Sequence, residues 1–300
     1  MDILLVTGQN PFLGRGHFQR MLSLLKYLNN NGHRAYIFAT EYNASGLAPK
    51  EFKAFIINEL PREADLILRD KRDSTEDEIQ TLQQVAPVAV IDDRGPGREK
   101  ANMVIDLLPH PQHEFNREFY HPEAFIYGYE FASSIDTIDK AALHKDISFF
   151  MYGGFSPERD HVHHLLEMVP KELEGLMLAD GKYMQIKNAK LADEINKPYA
   201  ELILSAQVAV SHFGITLYEA HLGDASLIAL NTSQYHHKLC ECAKELNITH
   251  SCVLETAETE VIQNTIRQAA NKYPPADVKI EDIQKKLELN MTNFMKLITG

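Results

Sequence analysis

Residues 3–20 read Ile-Leu-Leu-Val-Thr-Gly-Gln-Asn-Pro-Phe-Leu-Gly-Arg-Gly-His-Phe-Gln-Arg, and this stretch decides the fold class. Ile3–Thr7 is a short continuous apolar run, the pattern of a strand buried on both faces. A glycine-containing loop from Gly8 to Gly16 follows. Phe18, Met21, Leu22, Leu25 and Leu28 then recur at helical spacing, and Gly32 is placed to end that helix. Ala35–Ala39 returns as a second strand, which completes a βαβ unit.

The same rhythm continues outward. Ala54–Ile57, Asp65–Leu68, Val88–Ile91, Met103–Ile105 and Phe125–Tyr127 read as further strands. Ser74 followed by Asp77 signals a helix start over Ser74–Val85. The chain turns polar around Ile138–Lys145, and Ile147–Tyr152 opens a second series that continues with strands at Leu176–Ala179, Val208–Ser211 and Leu227–Leu230. Helices are expected near Arg159–Met168 and Ala192–Ser205, from Ile215, near Tyr235–Leu246 and Glu258–Ala270, and at the terminal Glu281–Ile298. Alternating strands and helices predict an α/β protein with parallel sheets. Two such lobes, residues 1–140 and 141–280, followed by a C-terminal helix at 281–300, account for the whole rhythm.

With 300 residues there is chain for about two domains, and 44% hydrophobic content can fill two cores. Thirty Lys and Arg against 42 Asp and Glu leave a net charge of −12, which argues against nonspecific nucleic-acid binding. A local anion site is still allowed, because backbone N–H groups at turns and helix starts can make one. No run approaches the roughly 20 apolar residues of a membrane helix, and Met1–Gly8 lacks the basic region of a secretory signal. Cys240, Cys242 and Cys252 form neither a disulfide framework nor a zinc motif, so a reducing, cytoplasmic setting is expected.

Four segments could carry chemistry. In Gly14-Arg15-Gly16-His17-Phe18-Gln19-Arg20, the glycines let a ligand approach the backbone, His17 can take a proton near neutral pH, and Arg20 lies one turn later on nearly the same face. A plain βα turn with a solvated histidine fits the same letters. Ser211-His212-Phe213-Gly214-Ile215-Thr216-Leu217-Tyr218-Glu219 again follows an apolar strand and opens a helix. Gly214, Ile215 and Thr216 would meet a phosphate, and Glu219, one turn on, would reach the vicinal hydroxyls of a ribose. Thr216 and Glu219 also fit a capping box that needs no ligand. Gly153-Gly154-Phe155-Ser156 is a third turn suited to phosphate. In Ile91-Asp92-Asp93-Arg94-Gly95 the two carboxylates point opposite ways, so they are not an acid/base pair; Asp92 or Asp93 takes an orienting or hydroxyl-binding role, or caps the next turn. His161–His164 and His236-His237 lack the spacing of a known metal site, and no metal or other cofactor is expected.

Together GRGHFQR, IDD, GGFSPE and SHFGITLYEA make the chain resemble the GT-B sugar-nucleotide superfamily over nearly its full length. Within it, the UDP-sugar hydrolases of pseudaminic acid synthesis and their spore-coat polysaccharide relatives are the nearest match, with MurG-type glycosyltransferases next. The resemblance implies two Rossmann-like lobes with parallel sheets facing each other across a cleft, with the nucleotide diphosphate on the C-terminal lobe. Gly14, Gly16, His17 and Arg20 match the family's GxGHxxR, His17 standing where its proposed catalytic histidine does. Gly153 and Gly154 match its GG turn, and His212, Gly214, Ile215, Thr216 and Glu219 its nucleotide segment, with Glu219 expected on the ribose. Gln234 matches a glutamine at the next βα junction, and His237 follows it.

Two departures concern the acceptor half. The family's Asp-x-Tyr is replaced by Leu68-Arg69-Asp70-Lys71-Arg72-Asp73, and the arginine after its GxEY segment is missing from Gly128-Tyr129-Glu130-Phe131-Ala132. The expectation is a metal-independent hydrolase of a nucleotide-activated sugar, presumed UDP-linked by the resemblance. His17 activates a water that attacks the anomeric carbon with inversion, with Arg20 and Asp92 beside it and backbone amides near Gly214 and Gly153 holding the leaving diphosphate. A GT-B glycosyltransferase, with a hydroxyl replacing the water, and a catalytically silent sugar-nucleotide binder are the alternatives. A soluble nucleotide-sugar, no nucleic acid and association with polysaccharide-synthesis enzymes complete the expected partners.

Overall fold

The structure, a computed structural model, describes residues 1–8, 16–39, 48–110, 117–138, 142–154, 164–179, 182–185, 197–272 and 277–300. They divide into two compact units. One comprises Met1–Pro109, Glu114–Tyr129 and Leu287–Gly300; the other comprises Glu130–Lys286 with His110–His113.

In the first unit, β1 (Asp2–Thr7), β2 (Arg34–Ala39), β3 (Ile56–Ile57), β4 (Leu66–Asp70), β5 (Val88–Ile91) and β6 (Met103–Ile105) form a parallel sheet in the order β3-β2-β1-β4-β5-β6. Helix α1 (Gly16–Asn30) connects β1 to β2 and buries Phe18, Met21, Leu22, Leu25 and Leu28. Gly32 follows at φ +79°, a left-handed turn residue as expected of a helix-ending glycine. Leu4, Val6, Ile67, Val88 and Val90 alternate onto the opposite face and pack on Ile79 and Leu82 of α2 (Glu76–Gln83).

Three local expectations change. The cap of α2 is Thr75, whose side chain accepts from Glu78 N, one residue beyond the expected Ser74. Ser74 is instead drawn into the turn below β4, where its N–H bonds Asp93. Only Ile56–Ile57 of the expected third strand pairs, because residues 50–55 coil into a 3-10 turn. Phe125–Tyr127 is buried yet forms no strand: the Phe125 carbonyl accepts from Asn290 Nδ2 at 3.2 Å, so its backbone is satisfied by a helix rather than by a sheet neighbour.

The second unit repeats the plan. Its strands β8 (Ile147–Gly154), β9 (Gly175–Ala179), β10 (Lys182–Gln185), β11 (Ala206–Ser211), β12 (Ser226–Asn231) and β13 (His250–Val253) run in the order β10-β9-β8-β11-β12-β13. All pairings are parallel except the outer β10. A separate two-stranded ladder joins β7 (Ala142–Leu143) to β14 (Val278–Lys279). After α3 (Tyr129–Ile135), helices among the described residues include α4 (Tyr199–Leu204), α5 (Ile215–His221), α6 (Gln234–Cys242) and α7 (Thr259–Lys272), and α8 (Ile280–Thr299) begins in this unit and from Leu287 belongs to the first. Strands β10 and β13 escaped the periodicity. Part of the expected Ala192–Ser205 helix lies outside the described residues, and the expected Tyr235–Leu246 helix breaks at Ala243, with a 3-10 turn after it.

Phe149, Met151, Val208, Val210, Ile228 and Leu230 pack on one face of this second sheet with Ile262 and Ile266 of α7. By strand alternation Tyr152, Ala209 and Ser211 belong to the other face, where Phe150 meets the ring of Tyr199 at 6.2 Å. Among the described residues no helix is long and apolar enough to cross a membrane.

Close packing after β5 allows a direct test. A Cβ on Gly95 would lie 2.1 Å from the Ser74 carbonyl oxygen and 2.4 Å from its nitrogen, both backbone atoms. Gly95→Ala is expected to cost roughly 1–3 kcal/mol of stability, read as a lower denaturation midpoint with an unchanged slope.

Candidate active site

In an open parallel sheet, ligands bind beyond the carboxyl ends of the strands, at the point where the strand order reverses. In the first unit that point lies between β1 and β4, where Thr7 pairs with Asp70. The Thr7 hydroxyl donates to the Asp70 carbonyl at 2.9 Å, tying the two strand ends together. Asp70 is fully buried, and on it converge two side chains from the start of α1, His17 and Arg20. His17 Nδ1 lies 2.7 Å from Asp70 Oδ1, while Arg20 donates to both carboxylate oxygens, from Nη2 at 2.7 Å and Nε at 2.9 Å. Burial alone would raise the Asp70 carboxyl, but Arg20 and His17 outweigh it and hold it below the ordinary carboxylate range. An ionised Asp70 accepts a proton-bearing Nδ1, which leaves the lone pair of neutral His17 on Nε2.

Arg20 is itself 2% exposed and reaches further. Its Nη1 donates to Asp92 Oδ2 at 2.6 Å. Asp92 stands at φ +52°, just past β5, and its Oδ1 accepts the Leu107 and Leu108 N–H groups at 2.8 Å each. Asp92 is therefore an anchor for Arg20, and its carboxylate is engaged on both oxygens by protein groups. Asp93 faces the other way, as the pleat requires, and receives Arg69 Nη1 at 2.6 Å together with the N–H groups of Ser74 and Gly95. Arg69 spends its remaining donors on Glu78 and on the carbonyls of Lys71 and Arg72, which sets the turn that follows Asp70. Gly16 opens α1 beside His17; Gly14 lies outside the described residues. Asp70 is the residue the sequence reading missed. Its signal was a carboxylate closing the apolar run Leu66-Ile67-Leu68 at the end of a strand.

In the second unit the order reverses between β8 and β11. The register of β8 against β9 shifts between Tyr152 and Gly154, so the chain bulges at Gly153 as it leaves the sheet. Residues Phe155 and Ser156 lie outside the described residues, as do His161 and His163. Beyond β11, the rings of Tyr152 and His212 stand 6.0 Å apart, those of His212 and His236 6.4 Å, and those of His236 and Tyr235 5.5 Å, forming a row across three neighbouring strand ends. Gly214 caps α5 at φ 168°, extended backbone, and a Cβ there would meet only the His212 ring at 3.7 Å. Neither crowding nor a left-handed angle explains that glycine.

The capping box expected of Thr216 and Glu219 does not form, because α5 starts one residue before Thr216. Glu219 is 2% exposed, and its Oε2 accepts the Tyr199 hydroxyl at 2.7 Å. Gln234 opens α6 after Ser233, whose hydroxyl accepts from His236 N at 3.4 Å. His237 turns to Ser251, 2.8 Å from its Oγ, and Ser251 in turn receives Asn231 Nδ2 at 3.1 Å. Among the described residues no three His, Cys, Asp or Glu side chains group as metal ligands.

No protein-family model and no curated protein matches the chain. Solved structures do. The glycosyltransferase of kitacinnamycin is 11% identical, covering 99% of this chain and 97% of its own, at a TM-score of 0.60. MurG of Acinetobacter baumannii is 11% identical over the whole of both chains, at 0.57. The UDP-GlcNAc 2-epimerase of Methanocaldococcus jannaschii, in complex with UDP-GlcNAc and UDP, is 10% identical over the whole of both, at 0.55. At this identity the likeness is one of fold, a GT-B-like pair of Rossmann-like units.

Proposed function

We propose that the chain is a nucleotide-sugar-dependent enzyme of glycosyl transfer. The observation that carries this reading is the buried Asp70 holding His17 by Nδ1 at a strand-order reversal, which leaves Nε2 as a base at the place where such sheets bind ligands. In the proposed reaction His17 Nε2 takes the proton of an acceptor hydroxyl. The oxygen attacks the anomeric carbon, the bond from that carbon to the diphosphate oxygen breaks, and the nucleoside diphosphate leaves with inversion. Arg20 and Asp92 hold Asp70 in place and take no proton. The second unit is proposed to hold the nucleoside diphosphate, with the Gly153 and Gly214 turns near the phosphates and Glu219 on the ribose. A glycine at 214 that its own fold does not require supports a close ligand approach there.

Hydrolysis, the first expectation from sequence, gives way to transfer because the fold neighbours named above are two transferases and an epimerase. Incubating the protein with a panel of UDP- and dTDP-sugars, with and without hydroxyl acceptors, separates the readings by product. Release of nucleoside diphosphate that depends on an acceptor and yields a glycoside supports transfer. Equal release into water restores the hydrolase, and nucleotide binding without turnover of any sugar makes the chain a silent binder.

A further inference from the structure

A buried amide in the second unit ties the turn after β11 to two neighbouring strands. Asn231, the last residue of β12, is fully buried, and its Oδ1 accepts the Phe213 N–H at 2.9 Å from 18 positions away in sequence. At its other end Nδ2 donates to the Cys252 carbonyl at 3.2 Å and to Ser251 Oγ at 3.1 Å, both on β13. With an N–H facing one end and a carbonyl facing the other, the oxygen and nitrogen of this amide can be placed in only one way. Ser251 Oγ lies 2.8 Å from Nδ1 of His237 on α6. Having accepted from Asn231, the hydroxyl keeps its own proton for that nitrogen when His237 is neutral. Three donors then run in one direction, Phe213 to Asn231 to Ser251 to His237, and in such a run each bond polarises the next.

The near end of this chain is the turn itself. Phe213 is 3% exposed and its ring meets that of Tyr218 edge-on at 6.2 Å, so its side chain and its N–H are both fixed by the protein. Gly214 comes next, with no side chain to hold it and no crowding or left-handed angle that calls for a glycine. Glycine has the most backbone freedom to lose, so a rigid neighbour is what keeps its peptide in one orientation. Two residues before Phe213, Ser211 Oγ is buried and has no hydrogen-bond partner among the described residues. A bound ligand would remove the cost of leaving that hydroxyl unpaired.

We infer that Asn231 is a positioning residue: by holding the Phe213 N–H it sets the Phe213-Gly214 backbone for a diphosphate, touching no ligand itself, with Ser251 and His237 behind it. The inference rests on the proposed place of the Gly214 turn near the phosphates. Backbone groups fixed before a charge arrives stabilise it without reorganising, which is why a rigid turn binds an anion better than a mobile one. An apolar side chain at 231 would leave the Phe213 N–H buried without an acceptor, a cost the turn relieves by moving. The effect falls on the phosphates that meet the turn and spares the base and sugar. His237, which the sequence places among the ligand-binding residues, becomes the far support of the turn instead.

Ligand-observed NMR titration of the full chain with UDP, dTDP, uridine and thymidine tests this through one ratio, the affinity for a diphosphate over that for its own nucleoside. The wild type is expected to hold the diphosphate about tenfold or more tighter than the nucleoside. Asn231→Leu should lose most of that ratio by weakening the diphosphate while leaving the nucleoside nearly unchanged. Ser251→Ala removes one of the two acceptors of Nδ2 and should lower the ratio by about two- to threefold. It leaves the Phe213 N–H bonded, so it decides the matter alone if Asn231→Leu does not fold. A merely structural role would weaken diphosphate and nucleoside alike, and that result overturns the inference, as does a ratio that neither substitution changes. A wild type that binds the diphosphate no tighter than the nucleoside takes the phosphates away from the turn, and the inference with them. A wild type that binds none of the four compounds removes the nucleotide reading beneath it.

Discussion

Replacing His17 with alanine is expected to lower the rate of sugar transfer by about 100- to 10,000-fold, the usual range for a positioned general base. Affinity for the nucleoside diphosphate should stay as it was, because His17 and its partner Asp70 belong to the first unit and the proposed nucleotide groups to the second. The loss belongs in kcat rather than in binding, since the proton is taken only as the new bond forms. Asp70→Asn gives the complementary result. An amide oxygen can still face Nδ1, but the charge that favours the Nδ1–H tautomer is gone, and the Asn side chain can offer Nδ1 an N–H donor instead. The lone pair then moves from Nε2 and the rate falls with it. If His17→Ala turns over at the wild-type rate, another residue is the base. If Asp70→Asn does so while His17→Ala does not, the 2.7 Å contact is structural only.

Arg20→Met is expected to cost about 3–5 kcal/mol of stability, the cost of breaking a buried ion pair from one side. Arg20 makes three hydrogen bonds to two carboxylates, Asp70 and Asp92, each no more than 7% exposed. Methionine fills most of the volume, so the loss reports on charge more than on a cavity. The pH dependence follows from the depressed Asp70 pKa. A carboxylate whose folded pKa lies below its unfolded value of about 3.9 adds stability that is present above that value and lost as pH falls through the folded pKa. Without Arg20 only His17 opposes the effect of burial, so the Asp70 carboxyl rises and the acid transition should move to higher pH. Adding Asp70→Asn to Arg20→Met should recover part of the loss, because the unpaired charge is removed as well. Urea unfolding followed between pH 3 and pH 7 gives both numbers. A variant as stable as the wild type at neutral pH would show that the Asp70 and Asp92 carboxylates do not depend on Arg20.

Much of the fold was legible because it is written in short-range periodicity. The apolar runs at Ile3–Thr7 and Val88–Ile91 and the helical spacing from Phe18 to Leu28 depend on residues a few positions apart, and all three became the expected elements. Phe125–Tyr127 misled because burial and strand pairing leave the same hydrophobic trace, and only the neighbour decides between them. Here the neighbour is Asn290 on a helix, 165 positions away from Phe125 in sequence. The capping box at Thr216 and Glu219 misled for a related reason: the letters fit a helix start, but the helix began one residue earlier and Glu219 met Tyr199 instead.

By itself the sequence determined the class, the two successive α/β units, and His17 and Arg20 as residues sharing one helix face. What it left open was their partner. Asp70 lies 53 residues from His17 and 63 from Thr7, and nothing in local spacing brings it near. It arrives because the chain runs β1, β2, β3 to one side and then returns, so that β4 pairs with the far edge of β1. That reversal is a property of sheet topology, driven by burying both faces of every central strand. It puts a carboxylate at the end of β4 beneath the first turn of α1, where sequence distance and distance in space have nothing to do with each other.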